Sequence, residues 1–283
     1  MTGRLPNFCF IGPDKAGSTW LHEVLIRRPD VFLTPAKDLY FFDRYFDRGV
    51  DWYARQFSGA RPEHKVVGEV CQDYLFHPEA AQRIRSTLGP DVRLMVTVRE
   101  PAARAFSSYL YMLKQGQEPG TFRQALDSRR ELLEHGRYGS ALRRYLDQFD
   151  RSCLHVSLFD DLVDDPQAFV TAVADWLGLA PFTLDAAQLG ARLPASQARS
   201  KVVARVARGM ADWARENDRA GVVGLVKRSA LTQRLLYRRL EERPQLSTAD
   251  AAYVRAVLEP EIVEVEQAFG LPLRERWGWP SAP

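Results

Sequence analysis

The chain has 283 residues, of which 46% are hydrophobic and 27% charged, and carries a formal net charge of +3. That apolar content can bury a large core, and the economical reading is a single α/β domain over residues 1–283. No apolar run approaches the ~18–20 residues that cross a bilayer, and no signal-peptide pattern precedes the first strand. Cys9, Cys71 and Cys153 are scattered, with neither a CxxC pair nor metal-ligand spacing. The expectation is therefore a cytoplasmic protein with reduced thiols, no metal and no nucleic-acid partner. Its oligomeric state is left open.

A strand is predicted over 7–12 and a helix over 18–27. The stretch joining them, FCFIGPDKAGSTWL at 8–21, hands a buried strand to a Gly/Ser/Thr turn. Lys15, with the hydroxyls of Ser18 and Thr19 and the backbone N–H groups of Ala16, Gly17, Ser18, Thr19 and Trp20, can surround a doubly charged oxyanion. In the nucleoside triphosphatase loop the lysine follows the last glycine and the next hydroxyl holds magnesium. Here Lys15 precedes Gly17 by two residues, so that pattern fails. An irregular, aromatic-rich connection follows over 31–48, containing PAKDLYFFD at 35–43, and then a short helix over 50–57.

Next come a strand over 65–70, a polar loop with Asp73, Tyr74 and His77, and a helix over 78–87. The near-continuous apolar run 92–98 suits a strand buried on both faces. Pro101 fits the first turn of a helix over 101–115. Arg99 thus falls at a strand end and Ser107 about two helical turns later, where a planar guanidinium and a hydroxyl can clamp a phosphate. Helices over 121–134 and 138–149, a strand over 153–158 and a helix over 166–177 complete the alternation. Strands alternating with helices imply a three-layer α/β sandwich around a mainly parallel sheet. Both motifs sit at C-terminal strand ends, where open α/β sheets bind ligands.

Residues 201–243 carry eleven Lys/Arg against five Asp/Glu, with apolar positions at helical spacing. A solvated helical face, a basic lid (203–243) over an anionic ligand, and a surface for an acidic acceptor or peripheral membrane contact all fit this pattern. A capped helix begins at Ser247 and runs through the 259–266 region.

The Lys15 loop resembles the 5′-phosphosulfate loop of sulfotransferases that use 3′-phosphoadenosine 5′-phosphosulfate (PAPS). The R-x-P-x-x-R-x-x-S run from Arg99 to Ser107 looks like that family's 3′-phosphate site. Lys37-Asp38 with Phe41-Phe42 resembles the K-E-x-x-F-F element of the carbohydrate sulfotransferases, especially those acting on heparan sulfate. There the glutamate is the proposed general base, so the resemblance implies that Asp38, one methylene shorter, takes that role; Asp73 and His77 are rivals. Glu69 and Tyr74 match the E-K-[ST]-x-x-Y element, with Val70 replacing its lysine. The stretches at 136–149, 159–166 and 259–277 also look like family elements, so the likeness spans nearly the whole chain.

The resemblance implies a P-loop-like sulfotransferase fold with a helical C-terminal lid region. It further implies PAPS as donor, adenosine 3′,5′-bisphosphate as product, and no metal. Lys15 would be catalytic and would bind the donor with residues 16–20, Arg99, Ser107 and, in a divergent loop, Arg199. Tyr40, Phe41, Asp73 and Tyr138 would meet a sugar or small-molecule acceptor. A P-loop kinase and a non-catalytic nucleotide-binding protein are the alternatives. The kinase needs magnesium and commonly an aspartate at a later strand end, where this chain has Arg99.

Overall fold

In the computed structural model, residues 4–117, 119–190, 196–198, 237–239 and 244–279 are described. Strand β1 (Phe8–Gly12) is buried along its whole length and lies at the centre of a five-stranded sheet. Its companions are β2 (Val31–Leu33), β3 (Val66–Val70), β4 (Arg93–Val98) and β5 (Leu154–Leu158), in the order β2-β3-β1-β4-β5. Every pairing in this sheet is parallel.

Alternate residues of β1 serve different cores, as the two-residue period of a strand requires. Phe8 and Phe10 pack with Leu21 and Leu25 of α1 (Ser18–Leu25) and with Phe169 and Val173 of a later helix, Pro166–Leu177. Cys9 and Ile11 face the opposite way, toward Tyr53 of α2 (Val50–Arg55), Ile84 of α3 (Ala80–Leu88), Tyr138 and Leu142 of the helix Tyr138–Leu146, and Ile262 of the long helix Thr248–Phe269. This is the expected three-layer sandwich. Leaving β1 the chain crosses to β2, and leaving β3 it passes β1 to reach β4, so the chain occupies first one side of β1 and then the other. The crevice between the loops that follow β1 and β4 is therefore the switch point of the sheet.

Several boundaries differ from the sequence expectation. The connection 31–48 contains β2, an edge strand of three residues too short to show alternation. The helix expected over 121–134 is two, α5 (Phe122–Ser128) and α6 (Glu131–Glu134), because Arg129 leaves helical geometry at φ −122° and ψ 86°. The segment after β5 is a helix, Phe159–Asp164, rather than a bare connection. The helix expected over 138–149 ends at Leu146, and the one over 18–27 at Leu25. A short helix, Ala186–Gly190, follows the Pro166–Leu177 helix. Within the basic stretch, Tyr237–Arg239 forms a strand, where helix was expected, and pairs antiparallel with Ser196–Ala198. Arg199 and the rest of 199–243 lie outside the described residues. Among the described residues no helix is long and apolar enough to cross a membrane.

Candidate active site

The turn after β1 is set by backbone handedness. Gly17, the residue before α1, has φ 87°, and a Cβ there would come within 2.5 Å of Leu162 Cδ2. No side chain caps the N-terminus of α1, and its first turn holds no acidic residue, so its leading N–H groups are left for an anion. Lys37 reaches across to donate to Ser18 Oγ at 2.8 Å and Thr19 Oγ1 at 3.1 Å. Both hydroxyls then spend a lone pair on the ammonium and keep their protons for a ligand.

Lys15 itself has φ 63°, and its Nζ lies 4.5 Å from the centroid of the Tyr111 ring. Burial pulls its pKa down to about 8; nearby Asp14 opposes this, while Arg99, Lys114 and Lys37 reinforce it. Four cations thus act on one spot, an arrangement that suits a doubly or multiply charged anion. Arg99, at the end of β4, donates from Nη1 to the Lys15 carbonyl at 2.7 Å and lies over the ring of Phe159. The Lys15 turn and the Arg99 strand end therefore meet in one crevice.

Asp14 holds this corner together. It is buried and accepts from Arg104 Nη1 at 2.9 Å and Ser108 Oγ at 2.9 Å, with His135 Nδ1 at 3.1 Å. Burial raises its pKa, but Arg104, His135 and Ser108 outweigh that and hold it well below the ordinary carboxylate range. Arg104 and Ser108 belong to α4 (Pro101–Lys114), so the Lys15 turn is tied to the helix that also carries Ser107, which is half-buried.

A second loop faces the cradle. Asp38 and Tyr40 have φ 61° and 56°, and with Lys15 they are the non-glycine residues of positive φ among the described residues. Such conformations cost on the order of 1–3 kcal/mol each and persist only where the surroundings enforce them. Here the enforcement is visible. Asp38 N–H donates to the Val70 carbonyl at 2.9 Å, while its Oδ1 accepts from Gln72 N–H at 3.3 Å. The Phe41 N–H donates to Tyr74 Oη at 2.9 Å, and Tyr74 in turn donates to fully buried Glu69, as does Tyr53 at 2.6 Å. Burial pushes Glu69 up to about 8 against the two tyrosines, with Asp43 and Asp38 adding to the rise.

Asp73 is bonded by Arg44 and lines a cleft of ≈ 720 Å³ together with Asp43, Phe76, His77 and His135, among others. Burial lifts Asp73 to about 6; Arg44 opposes the rise and Asp38 adds to it. The cleft touches both loops, since His135 bonds Asp14 beside Lys15 and Asp73 adjoins Gln72, which holds Asp38.

Not every expected residue faces this space. Phe41 is sealed in the core, stacked on Tyr53 with ring centroids 4.3 Å apart, and has no surface for an acceptor. Tyr138 is also fully buried and donates to the Arg99 carbonyl at 2.9 Å, so it braces the arginine instead of meeting an acceptor. The Trp20 indole donates to the Gln188 carbonyl, leaving only its backbone near the cradle. Tyr40 is nearly buried, with the Arg44 guanidinium 3.9 Å over its ring. Sequence reasoning missed Asp14 and the reach of Lys37. An acidic residue beside the loop lysine was the one available sign of the former, whereas the partners of Lys37 lie 18 and 19 residues away.

A sequence profile described as "Sulfotransferase family" matches residues 70–183. The crystal structure of a sulfotransferase from Alicyclobacillus acidocaldarius is similar with a TM-score of 0.60 and 27% identity, over 82% of this chain and 99% of that one. Human heparan sulfate glucosamine 3-O-sulfotransferase 3B1 is 32% identical over 186 residues, 62% of this chain and 47% of that protein. Membrane-associated sulfotransferase kil1 of Dictyostelium discoideum is 29% identical over 153 residues, 50% of this chain and 32% of that protein. The chain spans about half the length, or less, of these curated relatives. Profile, relatives and solved structure thus all point the same way: the chain is similar to the sulfotransferase family, the profile matching over residues 70–183.

Proposed function

We propose that this protein transfers a sulfuryl group from PAPS to a hydroxyl of a sugar or small-molecule acceptor, with a carboxylate taking the hydroxyl proton. The observation that carries the reading is the Arg99 guanidinium on the Lys15 carbonyl, which joins two cationic strand ends across the sheet's switch point. Their union suits a ligand with an anion at each end, as PAPS has. When bound, the donor supplies an activated sulfuryl group whose leaving group is a phosphate.

Lys15 and the N–H groups at 16–20 would hold the 5′ end and offset the charge that develops on the bridging oxygen. The Ser18 and Thr19 hydroxyls, aligned by Lys37, would donate alongside them. Arg99 and Ser107 would fix the 3′-phosphate, with Tyr138 bracing Arg99 from behind. On the acceptor side, Asp38 is held in a set conformation by its bonds to Val70 and Gln72. It would take the proton as the acceptor oxygen bonds sulfur and the bridging S–O bond breaks. Asp73 is the second candidate, supported by its place in the cleft and a pKa of about 6, close to working pH. The human relative is named for a sugar polymer, which supports a carbohydrate hydroxyl as one acceptor class.

Isothermal titration separates this reading from phosphoryl transfer. Adenosine 3′,5′-bisphosphate should bind without magnesium, and Lys15→Met should weaken that binding by about tenfold or more. Binding of ATP with magnesium and none of the bisphosphate overturns the assignment.

A further inference from the structure

We infer that Trp277 is a positioning residue: acting through Asp160, it holds the Arg99 guanidinium in place and so sets how strongly the protein prefers a nucleotide with a 3′-phosphate. This deepens the sulfotransferase reading and rests on it, since Arg99 is the 3′-phosphate arginine of that reading. The first observation is how the guanidinium is held. Its Nη1 is fixed on the Lys15 carbonyl at 2.7 Å, and its carbon lies 4.5 Å from the centroid of the Phe159 ring. A guanidinium carries five N–H donors in a rigid plane, so seating one nitrogen and covering one face leaves Nε and Nη2 for an anion. Burial draws the Arg99 pKa down; Tyr138, Asp160 and Glu100 oppose the fall, while Arg104 adds to it. Two carboxylates thus favour the charge that a phosphate needs.

The second observation is that these two carboxylates are held by different chemistry. Glu100 accepts from Arg255 Nε at 3.0 Å and from the Ala103 N–H at 2.6 Å, so a full cation already balances it while it caps α4. Asp160, in the first turn of the helix Phe159–Asp164, accepts instead from the Trp277 indole N–H at 3.0 Å. Among the described residues that indole is the side chain bonded to its carboxylate. The nearby Arg276 goes to Asp161 at 2.7 Å. An indole donates a hydrogen bond but carries no charge, so it directs the Asp160 carboxylate without neutralising it. The negative charge is thereby kept for Arg99. Trp277 is itself nearly buried, in a core that includes Leu158, Ile262 and Leu273, which leaves the ring little room to turn. Because Phe159 and Asp160 are consecutive, one bond fixes both the ring against Arg99 and the charge that supports it.

The test measures the 3′-phosphate increment, the ratio of the dissociation constants of adenosine 5′-monophosphate and adenosine 3′,5′-bisphosphate, by isothermal titration on the full chain. Wild type comes first. If it binds the bisphosphate no more tightly than the monophosphate, the sulfotransferase reading fails and the inference with it. Trp277→Phe keeps an aromatic ring in the core and removes the N–H donor; the increment should fall about fivefold or more, with monophosphate affinity unchanged. Asp160→Asn discriminates by sign. Were Asp160 only a negative charge near the phosphate, its removal would tighten bisphosphate binding. As the anchor of Arg99, its loss weakens that binding, by about the same factor as Trp277→Phe. Should the tryptophan variant fail to fold, the half-exposed Asp160→Asn site decides alone. With the wild-type preference in hand, an increment that is unchanged or larger in either folded variant overturns the inference and leaves the sulfotransferase reading standing. Equal losses for the two nucleotides leave the ratio as it was and overturn it too.

Discussion

Replacing Asp14 by asparagine probes the corner on which the donor cradle rests. Arg104 is fully buried, and Asp14, at 2.9 Å, is the anion that compensates it. Asparagine retains an oxygen for Arg104, and the Ser108 hydroxyl can turn to accept from the new amide, so most hydrogen bonds survive. What disappears is the charge. Leaving one member of a buried pair uncompensated costs about 3–5 kcal/mol, a large share of a typical stability of about 5–15 kcal/mol. Urea unfolding followed by tryptophan fluorescence should show a midpoint lower by about 1 M or more at pH 7. The pH dependence carries a sign. Because the folded protein holds the Asp14 pKa below its ordinary value of 3.8, the stabilisation is complete above that value and is lost as pH falls beneath it. The gap between wild type and Asp14→Asn should therefore narrow below about pH 4. A deficit of less than about 1 kcal/mol at pH 7, or one that does not change with acid, refutes the argument that the Asp14 charge is what offsets Arg104.

Other outcomes follow from the same geometry. Glu69 ionises near 4.5 when unfolded but keeps its proton to about 8 when folded, so its contribution is complete at low pH and is lost as pH rises between those values. Glu69→Gln should remove this dependence, on the order of a few kcal/mol, in urea titrations compared at pH 5 and pH 9. Lys15 loses its proton near pH 8 in the free protein, so bisphosphate affinity should fall between pH 7 and pH 9 by calorimetry and Lys15→Arg should flatten the fall. If Asp38 is the base, Asp38→Asn lowers turnover by about 10²–10⁴ with donor affinity intact, whereas Asp73→Asn acts mainly on acceptor KM. The reverse split in steady-state kinetics assigns the proton to Asp73.

The sequence disclosed the frame of this molecule more fully than its corner contacts. The apolar runs at 8–12 and 93–98 are buried on both faces, and such runs announce central parallel strands without help from anything distant. Lys15 and Arg99 were legible because each sits where a strand must end. The contact between them, Nη1 to a carbonyl 84 residues away, depends on strand order, which local pattern does not encode. The same holds for Asp14, whose partners come from α4 and from His135. Phe41 and Tyr138 were assigned to the acceptor because aromatics near a cleft serve either as walls or as filling. Only the packing of Phe41 on Tyr53, and the bond from Tyr138 to Arg99, decide that both are filling.

The left-handed backbone at Lys15, Asp38 and Tyr40 bears on how such a protein can diversify. A β-branched residue introduced at any of these positions is rejected on conformation before its chemistry is sampled, while glycine or asparagine is admitted. Libraries seeking new acceptors would gain little by randomising that loop. Glu131 and Glu134, on a helix of ordinary backbone and with no side-chain partner among the described residues, line the cleft where variation is cheap.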